Sequence, residues 1–226
     1  DQAVSRGLGD VYKRQIPELH FAFRGDTLSF FFGALVVFSG ALISFYAIAY
    51  FNFGGKELRR FLQYFFFFQI AMLGVVFSNN LILLFIFWEL TSVSSFLLIG
   101  FKHQKEGSRQ SALQALLVTG IGGLCLLGGI LLLGFDAGTF DIAQLIQFPE
   151  KYVHALSTEA MILIFLGVFS KSAQFPFHFW LPNAMTAPTP ASSYLHSATM
   201  VKAGIFLLMR LYPLLSFYPA WEAVTS

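Results

Sequence analysis

Six long apolar runs separated by short polar segments constrain this chain more than any other feature of its sequence. They cover residues 26–51, 58–77, 80–101, 109–134, 159–179 and 190–212. A stretch of about 20 apolar residues crosses a hydrocarbon core of roughly 30 Å, and a backbone in lipid must satisfy its own hydrogen bonds, which means helix. The expected fold is therefore all-α: a polytopic transmembrane helix bundle of about six spans. With 56% of the 226 residues hydrophobic and 12% charged, a water-soluble globular domain is excluded. One transmembrane domain is expected over residues 26–226. Residues 1–25 read as a non-native or disordered tail; the opening string DQAVSRGLGDVYKRQ, residues 1–15, is polar and unpatterned and resembles an adapter-derived artefact of translated sequence. No signal peptide is readable, and both ends read as truncated.

The net charge of +2 is small and dispersed, so nucleic acid is not an expected partner; the lipid bilayer is. Where the charges fall is more informative. Lys56, Arg59 and Arg60 join the first two runs, and Lys102, Lys105 and Arg109 join the third to the fourth, which places both loops in the cytoplasm. The uncharged turn at Ser78 and Asn79 then lies outside, as does the loop carrying Asp136, Asp141 and Glu150 against Lys151. In that loop, residues 139–146 read either as a short capped amphipathic turn on the outer surface, stopped by Pro149, or as a packed surface loop. The fourth run holds Gly120, Gly122, Gly123, Gly128, Gly129 and Gly134, which in lipid lets neighbouring backbones approach closely. A phosphate-binding glycine loop is not supported, because no strand precedes it and no Lys-Ser/Thr follows.

Glu89, Lys171 and Lys202 sit near the middle of spans, where an ionisable side chain costs about 2.5 to 3.5 kcal/mol on insertion scales. One reading is a buried ion pair that fixes helix register. The other is a proton relay, in which a carboxylate and a lysine in a low-dielectric site tune each other's proton affinity. Spacings of three and four align Lys171, Gln174 and His178 on one helical stripe. Pro176 lacks an N–H and crowds the carbonyl of Ser172, so this span should break beside Lys171. His196, Thr199 and Lys202 recur every third residue in the last span and would form a second string of polar groups. His178 reads equally well as a packing residue. No cluster has metal-ligand spacing, no nucleophile has an aligned base, and the lone Cys125 lies in an apolar run, so neither a metal, a cofactor nor an enzyme active site is expected. The abundant phenylalanines, residues 65–68 among them, read as lipid-facing or packing groups.

Three motifs carry a family resemblance: FWELTSVSSFLLIGF at 87–101, KSAQFPFHFWLP at 171–182, and APTP at 187–190 followed by YLHSATMVKAG at 194–204. In this order they resemble the antiporter-type membrane subunits shared by Mrp antiporters and respiratory complex I. The segment TMVKAG at 199–204 is more similar to the large A-type subunits of Mrp Na⁺/H⁺ antiporters than to L-type subunits of NADH:quinone oxidoreductase, which remain the alternative. The resemblance implies proton relay by Glu89, Lys171, His196 and Lys202, with support from Gln174, His178 and Thr199 and a helix break at Pro176. It implies membership of a hetero-oligomeric complex in the bacterial cell membrane, exchanging Na⁺ or another monovalent cation for H⁺. It further implies a second, inverted half that this chain lacks. A structural scaffold that has kept the fold is a third reading. Asn183 stands where the family commonly has an acidic residue, which leaves any role of that carboxylate open in this chain.

Overall fold

The computed structural model describes residues 22–52, 55–197 and 199–218. Among these, helices dominate, and the β contacts are two isolated antiparallel bridges, Phe23 with Ser78 and Asn80 with Asp141. Four long helices come first: α1 (Thr27–Tyr50), α2 (Lys56–Phe77), α3 (Leu81–Ile99) and α4 (Glu106–Ala137). Each is long and apolar enough to cross a membrane, in agreement with the first four runs. Their starts are set by local chemistry. The Asp26 carboxylate accepts the Ser29 N–H at 2.9 Å to cap α1, and the Asn80 side chain accepts the N–H groups of Ile82 and Leu83 to cap α3.

Residues 1–21, most of the expected tail, lie outside the described residues. Residues 22–25 pack against the bundle: Arg24 N–H donates to the Phe77 carbonyl at 2.7 Å, and Asn79 N–H donates to the Ala22 carbonyl at 2.9 Å. Packing against the bundle thus extends ahead of the expected start at Asp26.

The segment after α4 folds as α5 (Ile142–Gln147) and α6 (Pro149–Tyr152), then a 3₁₀ turn (Val153–Ala155). The cap of this turn is Asp141, whose carboxylate accepts the Gln144 N–H at 3.0 Å; Thr139 Oγ1 accepts the Asp141 N–H. Pro149 starts a helix turn rather than merely stopping one, because a first-turn N–H has no intrahelical partner to lose. Ile142 and Leu145 are fully buried, and the Asn79 side chain bonds both Ala143 N–H and Asp141, so this loop is clamped onto the α2–α3 turn.

A bend of 94° leads into α7 (Thr158–Lys171), which is 14 residues long. At 1.5 Å per residue it covers about 21 Å and cannot by itself cross a core of roughly 30 Å. The expected break beside Lys171 is present: helix ends at Lys171, and Pro176 lies beyond the break rather than within a helix. A 3₁₀ turn (Phe177–Phe179), α8 (Trp180–Ala184) and α9 (Thr189–Ser197) follow, and then α10 (Met200–Leu215). The run over 190–212 lies within one stretch long and apolar enough to cross a membrane, Thr189–Leu215, whose helix is interrupted near residue 199 between α9 and α10.

Glycines bring α4 and α7 into backbone contact. A Cβ on Gly129 would lie 2.7 Å from the Ala160 carbonyl oxygen, and one on Gly167 would lie 2.9 Å from that of Gly122. Gly120 faces open space and has no such role. The phenylalanines divide as expected: Phe65 and Phe68 are fully buried against the Tyr194 ring, whereas Phe30, Phe38 and Phe45 stand outward on α1.

Candidate functional site

Lys171 is the last residue of α7 and is completely buried. Its Nζ donates to the Trp88 carbonyl at 2.9 Å and to Ser92 Oγ at 2.7 Å, and stands 5.1 Å from the centroid of the Trp88 ring. These are neutral acceptors and a π face on α3, so the ammonium is solvated by the protein rather than neutralised by a bound carboxylate. They belong to a buried hydroxyl seam of Thr91, Ser92, Ser94 and Ser95.

Glu89 lies on the same turn of α3, next to Trp88 in sequence. Among the described residues the ion pairs are those of Arg24 and Arg210 with Asp26, so Glu89 and Lys171 do not touch. They attract each other at longer range. Glu89 Oε1 is buried without a hydrogen-bond partner, and it fills the notch left by Gly123 of α4, where a Cβ would collide with it. The buried register pair considered from the sequence is thus not formed as a contact.

The break after Lys171 is built from backbone bonds. Ser172 N–H donates to the Val168 carbonyl and Gln174 N–H to the Phe169 carbonyl, both at 2.9 Å, around Ala173 at φ +50°. This is a Schellman-type ending with alanine where glycine is usual. The Ser170 carbonyl is taken by the indole N–H of Trp180 at 2.9 Å. Ser172 Oγ donates to the Val201 carbonyl at 2.8 Å, which joins the break to the first turn of α10 and to Lys202 beside it. Close approach is possible here because Gly204 has no side chain: a Cβ there would lie 2.8 Å from the Val168 carbonyl oxygen.

The stripe of Lys171, Gln174 and His178 does not exist, because the helix that would align them stops at Lys171. Gln174 is exposed and turns back to the Ser172 carbonyl at 3.3 Å, while His178 is exposed and stacked on Phe175. Nor do His196, Thr199 and Lys202 share one helix. Thr199 is buried between α9 and α10, and its hydroxyl donates to the Tyr194 carbonyl at 2.8 Å, which closes the end of α9. Lys202 is half-buried in the first turn of α10 and has no side-chain hydrogen bond or ion pair among the described residues. His196 ends up beside Trp180, with ring centroids 6.3 Å apart. Both of its ring nitrogens are buried, with the Ala184 backbone nearby but no hydrogen bond of full geometry, and it lines a cavity of about 390 Å³ with Ser192, Ser193 and Ser197. Trp180 therefore touches both ends of this region: its N–H holds the residue before Lys171, and its ring faces His196.

Three positions were not legible as part of the site. Trp180 reads as one more aromatic, and Gly123 as one more packing glycine. Arg210 is a charge inside the last apolar run, a signal of the same kind as Lys202. It is buried and donates to the Asp26 carboxylate, to Ser29 Oγ at 2.6 Å and to the Val76 carbonyl at 3.4 Å, tying α10 to α1 and α2. Burial works to raise the Asp26 carboxyl, but the bond from Arg210, the Ser29 N–H and the Arg210 charge outweigh it and hold the group at about 2. Asn183 donates to the Gln114 side chain at 2.7 Å on the surface, which joins α8 to α4.

Residues 78–225 match the family model described as NADH:quinone oxidoreductase/Mrp antiporter, TM. The A-type subunit of the Na(+)/H(+) antiporter of Bacillus subtilis (strain 168) is 49% identical over 82% of this chain and 23% of its own length. The A/B-type subunit of a probable K(+)/H(+) antiporter of Rhizobium meliloti (strain 1021) is 46% identical over 91% of this chain and 21% of its own length. The chain superposes on one polypeptide of the Mrp complex from Dietzia sp. DQ12-45-1b with a TM-score of 0.77 and 36% identity, covering 88% of this chain and 22% of that one. It spans about a quarter of the length of the curated relatives it matches.

Proposed function

The chain belongs to the NADH:quinone oxidoreductase/Mrp antiporter transmembrane family, and from that premise we propose that its parent protein is one subunit of a monovalent cation/proton antiporter. In this reading Glu89, Lys171, His196 and Lys202 carry the protons, and the parent acts as a secondary transporter rather than an enzyme. Its place is the bacterial cell membrane, in a complex with other subunits. Relatives named for Na⁺ and for K⁺ exchange are 49% and 46% identical to this chain, which supports a monovalent cation and does not distinguish the two.

The observation that carries the reading is Lys171: fully buried at a helix break, bonded to neutral acceptors, and near Glu89 without touching it. A contact ion pair would tie each charge to the other and hold both in place. Two ionisable groups that interact across a short gap instead respond to one another, so that a proton gained or lost at Glu89 changes the work of charging Lys171. The Trp88 carbonyl and Ser92 hydroxyl hold Nζ in position whichever form it takes: the hydroxyl accepts from an ammonium and can donate to a neutral amine. The Ser172–Val201 bond fixes Lys202 beside the break and Trp180 fixes His196 on its other side, so that water between these side chains, rather than the bonds themselves, would carry the proton from Lys171. The open cleft beside His196 is mainly apolar but carries the hydroxyls of Thr189, Ser192, Ser193 and Ser197, and it is large enough for water to meet the imidazole.

Replacing Glu89 or Lys171 with alanine in the full-length protein is expected to abolish cation-driven proton movement in inverted membrane vesicles while the complex still assembles. Wild-type exchange in both variants refutes the relay. Co-purification of the parent with iron–sulfur subunits in place of small antiporter partners would assign it to a respiratory complex instead.

A further inference from the structure

At the opposite end of α3 from the Asn80 cap, α2, α3 and α4 enclose two adjoining cavities that the relay does not use. The first, about 400 Å³, is lined by Lys56, Arg60, Lys102, His103 and Lys105, with Glu57 as its one carboxylate. The second, about 300 Å³, shares Arg60, Phe101 and His103 with the first and runs on to Tyr64, Phe96 and Leu97, with Arg109 at its edge. One cavity is cationic and the other largely apolar, and they meet at Arg60. From these we infer that the cleft binds the headgroup of an anionic phospholipid of the cytoplasmic leaflet, with the start of an acyl chain lying along Phe96 and Leu97.

Arg60 is the anchor. Its guanidinium lies 4.5 Å from the centroid of the Phe101 ring, and Nη2 reaches the Phe101 carbonyl at 3.4 Å, so the ring and backbone fix its plane. Its Nε is buried without an acceptor and its Nη1 makes no bond among the described residues, so the charge of the group is unpaired and Nη1 is the donor that an external phosphate oxygen can take. Two helices also begin at this cleft. Neither α2, after Gly55, nor α4, after Lys105, has a side-chain cap, so the free N–H groups and positive dipole ends of both add to the lysines.

The occupant follows from position. These basic residues lie at the ends of membrane-crossing helices, on the face that the Lys/Arg bias assigns to the cytoplasm, where the leaflet is anionic. An apolar extension on the same cavity suits an amphiphile and gives nothing to a soluble phosphate. An acidic protein segment would leave Phe96 and Leu97 uncovered.

The test uses the full-length protein in its assembled complex, delipidated and returned to phosphatidylglycerol or phosphatidylcholine, with retained lipid counted by native mass spectrometry. The expected result is one phosphatidylglycerol fewer in Arg60→Ala and in the Lys102→Ala, Lys105→Ala pair. Affinity should fall about fivefold per removed charge near the surface, and Lys151→Ala, outside the cleft, should keep the lipid. If Arg60→Ala fails to assemble, the exposed lysine pair decides. Equal retention in wild type and that pair overturns the proposal. So does equal retention of phosphatidylcholine, or displacement of the lipid by inorganic phosphate, which would mark a soluble-anion site.

Discussion

Ser172 donates its hydroxyl to the carbonyl of Val201 at 2.8 Å, so the residue after Lys171 is bonded to the residue before Lys202. One neutral hydrogen bond thereby couples the broken end of α7 to the start of α10. Replacing Ser172 with alanine removes it at a cost of about 1 kcal/mol. We expect slowed exchange in vesicles with normal assembly, and a larger effect than that of Ser216→Ala, whose hydroxyl bonds within the end of α10.

Ser92 and Ser95 are both buried on α3, yet they differ in what they hold. Ser92 accepts from Lys171 at 2.7 Å, whereas Ser95 donates to the Ser92 carbonyl of its own helix. Ser92→Ala leaves the ammonium one acceptor short, at a cost of about 1–3 kcal/mol, and Ser95→Ala loses about 1 kcal/mol or less. The pH profile of exchange is the measurement. It should move in Ser92→Ala and stay in place in Ser95→Ala.

Gly123 gives the Glu89 carboxylate its space. A methyl there would collide with Oε1, while one on Gly120 would meet nothing within 4 Å. Gly123→Ala is expected to push the carboxylate aside and cut exchange, with a stability loss of about 1–3 kcal/mol from overpacking. Gly120→Ala should match wild type in exchange rate and resist thermal unfolding at least as well, since alanine is the better helix former.

Asp26 has its carboxyl held at about 2, below the ordinary value of 3.8. A group whose folded value is depressed contributes stability that is fully present above the unfolded value and is lost as pH falls through the folded one. Thermal unfolding of the assembled complex should therefore show an acid-sensitive component between about pH 4 and pH 2 that Asp26→Asn removes. The variant should also unfold more readily at neutral pH, because Arg210 is then left buried without its counter-charge.

Much of the architecture was legible because lipid simplifies the physics. Apolar length alone marks α1 to α4, and the cost of a charge in hydrocarbon singles out Glu89, Lys171 and Lys202. The proline rule also located the break after Lys171, since Pro176 crowds the carbonyl of Ser172. The same helical periodicity then misled where it was carried across that break. Gln174 and His178 were aligned with Lys171 on a helix that had already ended, and Thr199 was placed on a helix that divides around it. Nothing local announces the second interruption, because no proline lies between Leu195 and Met200.

By itself, then, the sequence determined that this chain is a membrane helix bundle with ionisable groups in its interior and a break beside Lys171, because each of these follows from the cost of burying one residue or losing one N–H. Only the tertiary structure decided that Lys171 is held by Trp88 and Ser92, that Gly123 makes room for Glu89, and that Arg210 reaches Asp26. Those contacts join residues far apart in the chain, and they depend on which faces of neighbouring helices meet, which no local pattern specifies.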